Sequence, residues 1–78
     1  MKKVVNKVEY NTETATLVMQ YVQGFFGDPA GYEECLYKTE KGKYFLYVNG
    51  GETSPYAKED IIVLTAPKAK AWQEAKNN

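Results

Sequence analysis

Few residues in this chain could do covalent chemistry. Glu33 and Glu34 stand side by side, and a pair of carboxylates is what glycoside hydrolysis needs. They lie in a β-prone stretch, where neighbouring side chains point to opposite faces, so the two cannot flank one bond. Cys35, the sole cysteine, would need a base to become a nucleophile, and the chain has no His. Ser-His-Asp and Cys-His constellations are excluded within one chain for the same reason. Structural zinc requires a full tetrahedral set of nitrogen or sulfur ligands, which Cys35 alone cannot supply. No Asp-x-Asp-x-Asp-Gly loop offers a calcium site, and Gly50-Gly51 is not followed by the Lys-Ser or Lys-Thr and helix of a phosphate loop. Neither a metal nor a cofactor is expected. The chain reads as a non-enzyme whose tool is a binding surface.

The charges refine this reading. All ten positive side chains are Lys, and ten Asp and Glu balance them to zero. Without Arg there is no bidentate fork for guanine or phosphate, and a neutral chain has no broad electrostatic footprint for nucleic acid. A nucleic-acid-binding accessory role, with Tyr as a stacking platform and Lys on phosphate, is therefore the alternative rather than the leading reading. The balance is also uneven along the chain. Lys2, Lys3 and Lys7 make the start basic. Glu9, Glu13, Asp28, Glu33 and Glu34 follow, with no Lys among them until Lys38. Such an acidic stretch suits a basic partner surface.

These residues need elements to position them. Val4 to Tyr10 reads as one half-buried strand, with Val4, Asn6, Val8 and Tyr10 on one side. Asn11 to Gly24 has two readings. As a helix, Ala15, Val18, Met19 and Val22 would line one face. As a strand, the β-branched Thr14, Thr16, Val18 and Val22 fit better, and an Asn11-Thr12 turn would join it to the first strand. The strand is preferred. Phe25 to Gly31 is a loop rich in turn residues, in which Phe25 and Phe26 either pin the loop to the core or form an exposed aromatic contact. Cys35–Thr39 and Tyr44–Val48 form a hairpin about Glu40-Lys41-Gly42-Lys43. Asn49 to Asp60 is a second loop, and Ile61–Leu64 is a short buried strand. Thr65 caps a C-terminal helix that tolerates Pro67 in its first turn and turns Ala69 and Trp72 to the core.

Strands grouped before a helix mean α+β. The expectation is a single domain over 1–78, with a small antiparallel sheet of four to five strands and one C-terminal helix packed on one face. With 78 residues, 44% of them hydrophobic, the chain has room for one core. One helix covers one face, so some of the seven tyrosines should lie on the other, where Tyr serves well as an interface anchor. A sole Cys precludes an internal disulfide and favours a reducing compartment. The basic start has too short an apolar run for a signal peptide, and no run approaches a membrane span. A cytoplasmic protein with no membrane partner is expected.

The segments Tyr10-Asn11-Thr12-Glu13-Thr14-Ala15, Glu34-Cys35-Leu36-Tyr37, Gly42-Lys43-Tyr44-Phe45-Leu46, Gly50-Gly51, Ser54 with Tyr56, and Ala69 to Trp72 occur in this order across residues 10–72. In that order and spacing the chain resembles a family of very small proteins from phages and integrative elements of Gram-positive bacteria. In setting these are similar to anti-CRISPR and other anti-defence proteins, which are small, non-enzymatic and act by binding. The resemblance implies a mobile-element inhibitor of a bacterial defence system in the host cytoplasm, with a CRISPR effector subunit as partner. Asp28, Tyr32, Glu33, Glu34, Tyr37 and Glu52 are the candidate partner contacts. A homodimer or larger scaffold joined through the open sheet face is a third reading.

Overall fold

Val5 and Val8 are separated by two residues, Asn6 and Lys7, and both of these adopt positive φ, 51° and 66°. This two-residue turn matches the twist of a tight hairpin. In a computed structural model of the chain, which describes residues 1–25 and 27–77, it joins β1 (Lys2–Val5) to β2 (Val8–Asn11). The stretch read as one strand is thus two, paired antiparallel as a separate ribbon. The reversal also changes which side chains share a face. Val5, not Val4, joins Val8 and Tyr10 towards the core, and Val4 is exposed. Asn11-Thr12 is not a hairpin turn. There the Asn11 Oδ1 accepts the Glu13 N–H at 2.9 Å, and the Asn11 carbonyl accepts the Ala15 N–H at 3.0 Å. This local turn sends the chain away to the main sheet.

The main sheet is an antiparallel meander of β3 (Thr16–Gln23), β4 (Tyr32–Lys38), β5 (Tyr44–Gly50) and β6 (Asp60–Leu64), adjacent in that order. The strand reading of the second segment therefore holds. Val18 is an extra residue between the pairs Leu17–Tyr37 and Met19–Leu36, a bulge that resets the alternation. The β4–β5 hairpin turns at Gly42, whose φ of +83° is open to glycine. Its loop is closed by the Gly42 N–H on the Thr39 carbonyl at 2.9 Å.

The helix α1 (Ala66–Lys76) starts at Thr65, whose side chain accepts the Lys68 N–H. It lays Ala69, fully buried, and Trp72, half-buried, on Leu36, Leu46 and Val48. The fold is therefore α+β, with the helix on one face of the sheet. The opposite face is not left bare. The β1–β2 ribbon brings Tyr10 onto Phe45, edge to face at 5.6 Å, and Tyr37 stacks on the same ring at 5.3 Å. Lys3 ties the ribbon to β6, reaching the Asp60 carboxylate at 3.3 Å and the Ile61 carbonyl at 3.2 Å. The Ile61 N–H and then Lys3 hold the Asp60 carboxyl below its ordinary range. Among the described residues no helix is long and apolar enough to cross a membrane.

Candidate functional site

Two loops at one end of the sheet meet and are bonded through their backbones. The Gly51 N–H donates to the Gly31 carbonyl at 2.9 Å, and the Thr53 N–H donates to the Pro29 carbonyl at 2.9 Å. This approach explains Gly50-Gly51. A Cβ on Gly51 would collide with the Pro29 backbone, and one on Gly50 would stand 2.7 Å from the Tyr32 Cβ and 2.8 Å from the Gly31 carbonyl. The β3–β4 loop is shaped by Asp28, whose Oδ1 accepts the Ala30 N–H at 3.0 Å in a side-chain turn.

Between these loops and the end of the sheet runs an open groove of about 680 Å³. Asp28, Glu33 and Glu52 bring carboxylates to it, and no Lys lines it. Val22 and Phe25 give it an apolar edge, 58% and 74% exposed. Burying such large side chains on a partner is worth roughly 1.5–3 kcal/mol each in transfer terms. Phe25 is thus not pinned to the core, and the reading of Phe26 lies outside the described residues.

The sheet face beside the groove carries a polar ladder across three strands. Glu33 accepts from Gln20 Nε2 at 2.8 Å through one carboxylate oxygen and from Asn49 Nδ2 at 2.9 Å through the other. Asn49 also donates to the Tyr47 hydroxyl at 3.1 Å, and that hydroxyl donates to Glu59 at 2.7 Å. The bond to Glu59 and then burial raise the Tyr47 phenol above its ordinary value. Both Glu33 oxygens are therefore held in place before any partner arrives, which lowers the ordering cost of binding.

Of the six sequence candidates, Asp28, Tyr32, Glu33 and Glu52 all line this one groove. Glu34 and Tyr37 do not. Glu34 is only 6% exposed, because alternation turns it to the face opposite Glu33, under α1. There its carboxylate accepts the Tyr56 hydroxyl at 2.6 Å and the Trp72 indole N–H at 3.2 Å, and it pairs with Lys76 at 3.4 Å. It holds the helix and the last loop to the sheet and is no surface contact. Tyr37 is half-buried against Phe45 beneath the β1–β2 ribbon. Gln20, Val22 and Asn49 were not singled out in the sequence. The alternation within β3 could have placed Val22 beside Glu33 only with the bulge at Val18 known.

Cys35 is buried, and burial, followed by the Glu33 charge, pushes its thiol up, which favours the unreactive protonated form. Among the described residues no group of His, Cys, Asp and Glu is gathered closely enough to hold a metal ion.

The Tyr56 phenol is pushed up to about 12, first by burial and next by the hydrogen bond and charge of Glu34. In an unfolded chain a Tyr titrates near 10. Its contribution to stability is therefore whole below pH ~10 and is lost as pH rises through ~12, where the native state is made to give up its proton. Urea midpoints should begin to decline above pH ~8.5, where the unfolded chain's Cys35 thiol ionises, and fall more steeply above ~10. Tyr56→Phe should flatten part of the steeper fall. A wild-type profile that is flat between the two limits would refute this assignment.

Compared with protein-family models, with curated proteins and with solved structures, the chain matches none.

Proposed function

We propose that this chain is a binding protein that captures a basic, partly apolar protein surface in its acidic groove, and that it thereby inhibits a bacterial defence system. The observation that carries the binding part is the gathering of Asp28, Glu33 and Glu52, with exposed Val22 and Phe25, around one groove free of Lys. Carboxylates with an apolar rim suit a partner surface that presents Lys or Arg around a small hydrophobic contact. The same carboxylates repel phosphate, so nucleic acid is the disfavoured occupant. The defence target comes from the family resemblance, which favours a CRISPR effector subunit. A basic surface that otherwise holds target DNA has the required charge, and occupying it would block DNA recognition by competition.

The test is co-purification of the tagged chain with CRISPR effector complexes from Gram-positive hosts, paired with phage plaque counts. The expected result is stable co-purification and rescue of phage in a host carrying the matching system. Glu52→Lys combined with Phe25→Ala should weaken binding about 10-fold or more, as loss of a central anchor does, with an unchanged urea midpoint. Capture by no effector and no rescue across the host's defence systems would overturn the defence reading. Binding untouched by the double variant would overturn the groove.

A further inference from the structure

The two edges of the four-stranded sheet are treated differently. At β6 the start of the outer edge is occupied. The Ile61 N–H donates to its neighbour Asp60 Oδ1 at 2.8 Å, and the Ile61 carbonyl accepts Lys3 at 3.2 Å. Charged side chains that bind edge backbone groups are a standard defence against strand addition. At β3, among the described residues, no side chain bonds to the strand backbone. Its eight residues, Thr-Leu-Val-Met-Gln-Tyr-Val-Gln, contain no charge and no Pro. Leu17, Val18 and Val22 are 51%, 42% and 58% exposed along it. A long, neutral, apolar edge is a template for another strand.

From this edge we infer that β3 pairs antiparallel with β3 of a second copy, giving a two-fold dimer with a continuous eight-stranded sheet. The sequence of the strand is self-complementary in one register. With the two-fold at Gln20, Tyr21 stands opposite Met19 of the other copy, Val22 opposite Leu17, and Gln23 opposite Thr16, with Val18 as the bulge in both. Antiparallel partners must share a face, and here they do. Met19, Tyr21, Gln23 and Thr16 pair with the helix-side residues Leu36, Glu34, Tyr32 and Lys38, while Leu17, Gln20 and Val22 pair with Tyr37, Cys35 and Glu33. The register thus joins exposed Val22 to exposed Leu17 twice, as an isologous interface requires, and sets no charged strand residue against another. The charges nearest this edge belong to neighbouring elements, Lys76 over the Tyr21 ring at 4.3 Å and Glu33 on Gln20 at 2.8 Å, and each already has a partner. What the strand itself offers is an apolar row that matches its own copy, which is why the occupant is a second copy. The inference does not rest on the identity of the groove's partner; in the dimer Val22 turns to the seam and Phe25 remains as the groove's apolar rim.

Light scattering on the purified full chain tests it. At about 100 µM the expected mass is twice 8.9 kDa, falling on dilution by mass action. Leu17→Lys should weaken the dimer about 10-fold or more, because it sets a bare charge against an apolar neighbour in both halves of the seam. Val22→Glu should do the same. Both side chains are exposed in the single copy, so the far-ultraviolet circular dichroism should be unchanged. At a dilution where wild type is monomeric the urea midpoint of Leu17→Lys should also be unchanged, and that of Val22→Glu should fall slightly because Glu33 stands opposite it on β4. The double variant Leu17→Lys with Val22→Glu should restore the dimer, because the register places each introduced ammonium opposite the other copy's introduced carboxylate. A wild-type chain that is monomeric at about 100 µM would overturn the inference. So would a dimer indifferent to both single variants, or a double variant no better than either of them.

Discussion

Replacing Glu34 by Ala should destabilise the fold by about 2–4 kcal/mol, near the figure for breaking a buried ion pair from one side. The carboxylate serves three donors at once, the Tyr56 hydroxyl, the Trp72 indole and the Lys76 ammonium. They come from the last loop and from two turns of α1, so one carboxylate fastens both to β4. Removing the acceptor leaves two neutral donors under-satisfied and one cation unpaired, and leaving a buried donor unmade costs about 1–3 kcal/mol. Lys76 keeps part of its side chain in water, so the loss falls short of the sum. Glu34→Gln keeps one acceptor and the shape, and should cost roughly half as much. Glu33→Gln, on the opposite face, should stay within about 0.5–1 kcal/mol of wild type. Urea unfolding of the three variants checks the order. A Glu34→Ala midpoint equal to wild type would show that the cluster holds nothing together.

Phe45→Ala should be the more damaging of the two, at about 3–5 kcal/mol. The ring is fully buried, stacked on Tyr37 with planes 9° apart and met by the edge of Tyr10 at 71°. Such aromatic pairs contribute about 0.5–1.5 kcal/mol each beyond the area they bury. A domain of this size has a total stability at the lower end of the usual ~5–15 kcal/mol, so the variant should be partly unfolded near body temperature. A second readout isolates the cause. Phe45 is where the β1–β2 ribbon rests on the sheet, so trypsin should cut at Lys7 sooner in the variant than in wild type. Phe45→Leu should recover most of the stability, within about 1.5 kcal/mol. A loss below about 1 kcal/mol for Phe45→Ala would mean that the ribbon does not lean on this ring.

What was legible in the sequence was local. The β4–β5 hairpin followed from aromatic alternation about Gly42, and the helix from a Thr cap with Pro in the first turn. Glu33 and Glu34 were separable in advance, since adjacent strand residues face opposite ways. The Asn6-Lys7 turn was hidden because Lys rarely adopts positive φ, so nothing marked a reversal inside Val4–Tyr10. That one omission also hid the ribbon's cover over Tyr37. The groove was partly visible as an acidic run. Its assembly was not, because it depends on Gly51 meeting Pro29 across a long stretch of chain. Which carboxylate faced the groove and which faced the helix followed only once the sheet had a helix side.

The strand order of the meander has a kinetic consequence. Every partner in β3-β4-β5-β6 is the next strand along the chain, so each pairing closes only the loop that separates two neighbours. Loop-closure entropy is correspondingly small at every step, and a sheet of this kind can zip from the β4–β5 hairpin outward. The late, distant events are the seating of Tyr10 on Phe45 and the closing of Trp72 and Lys76 over Glu34. A chain built this way belongs with the faster folders of sheet-containing domains, and its sheet can be in place before either of its two covers has docked.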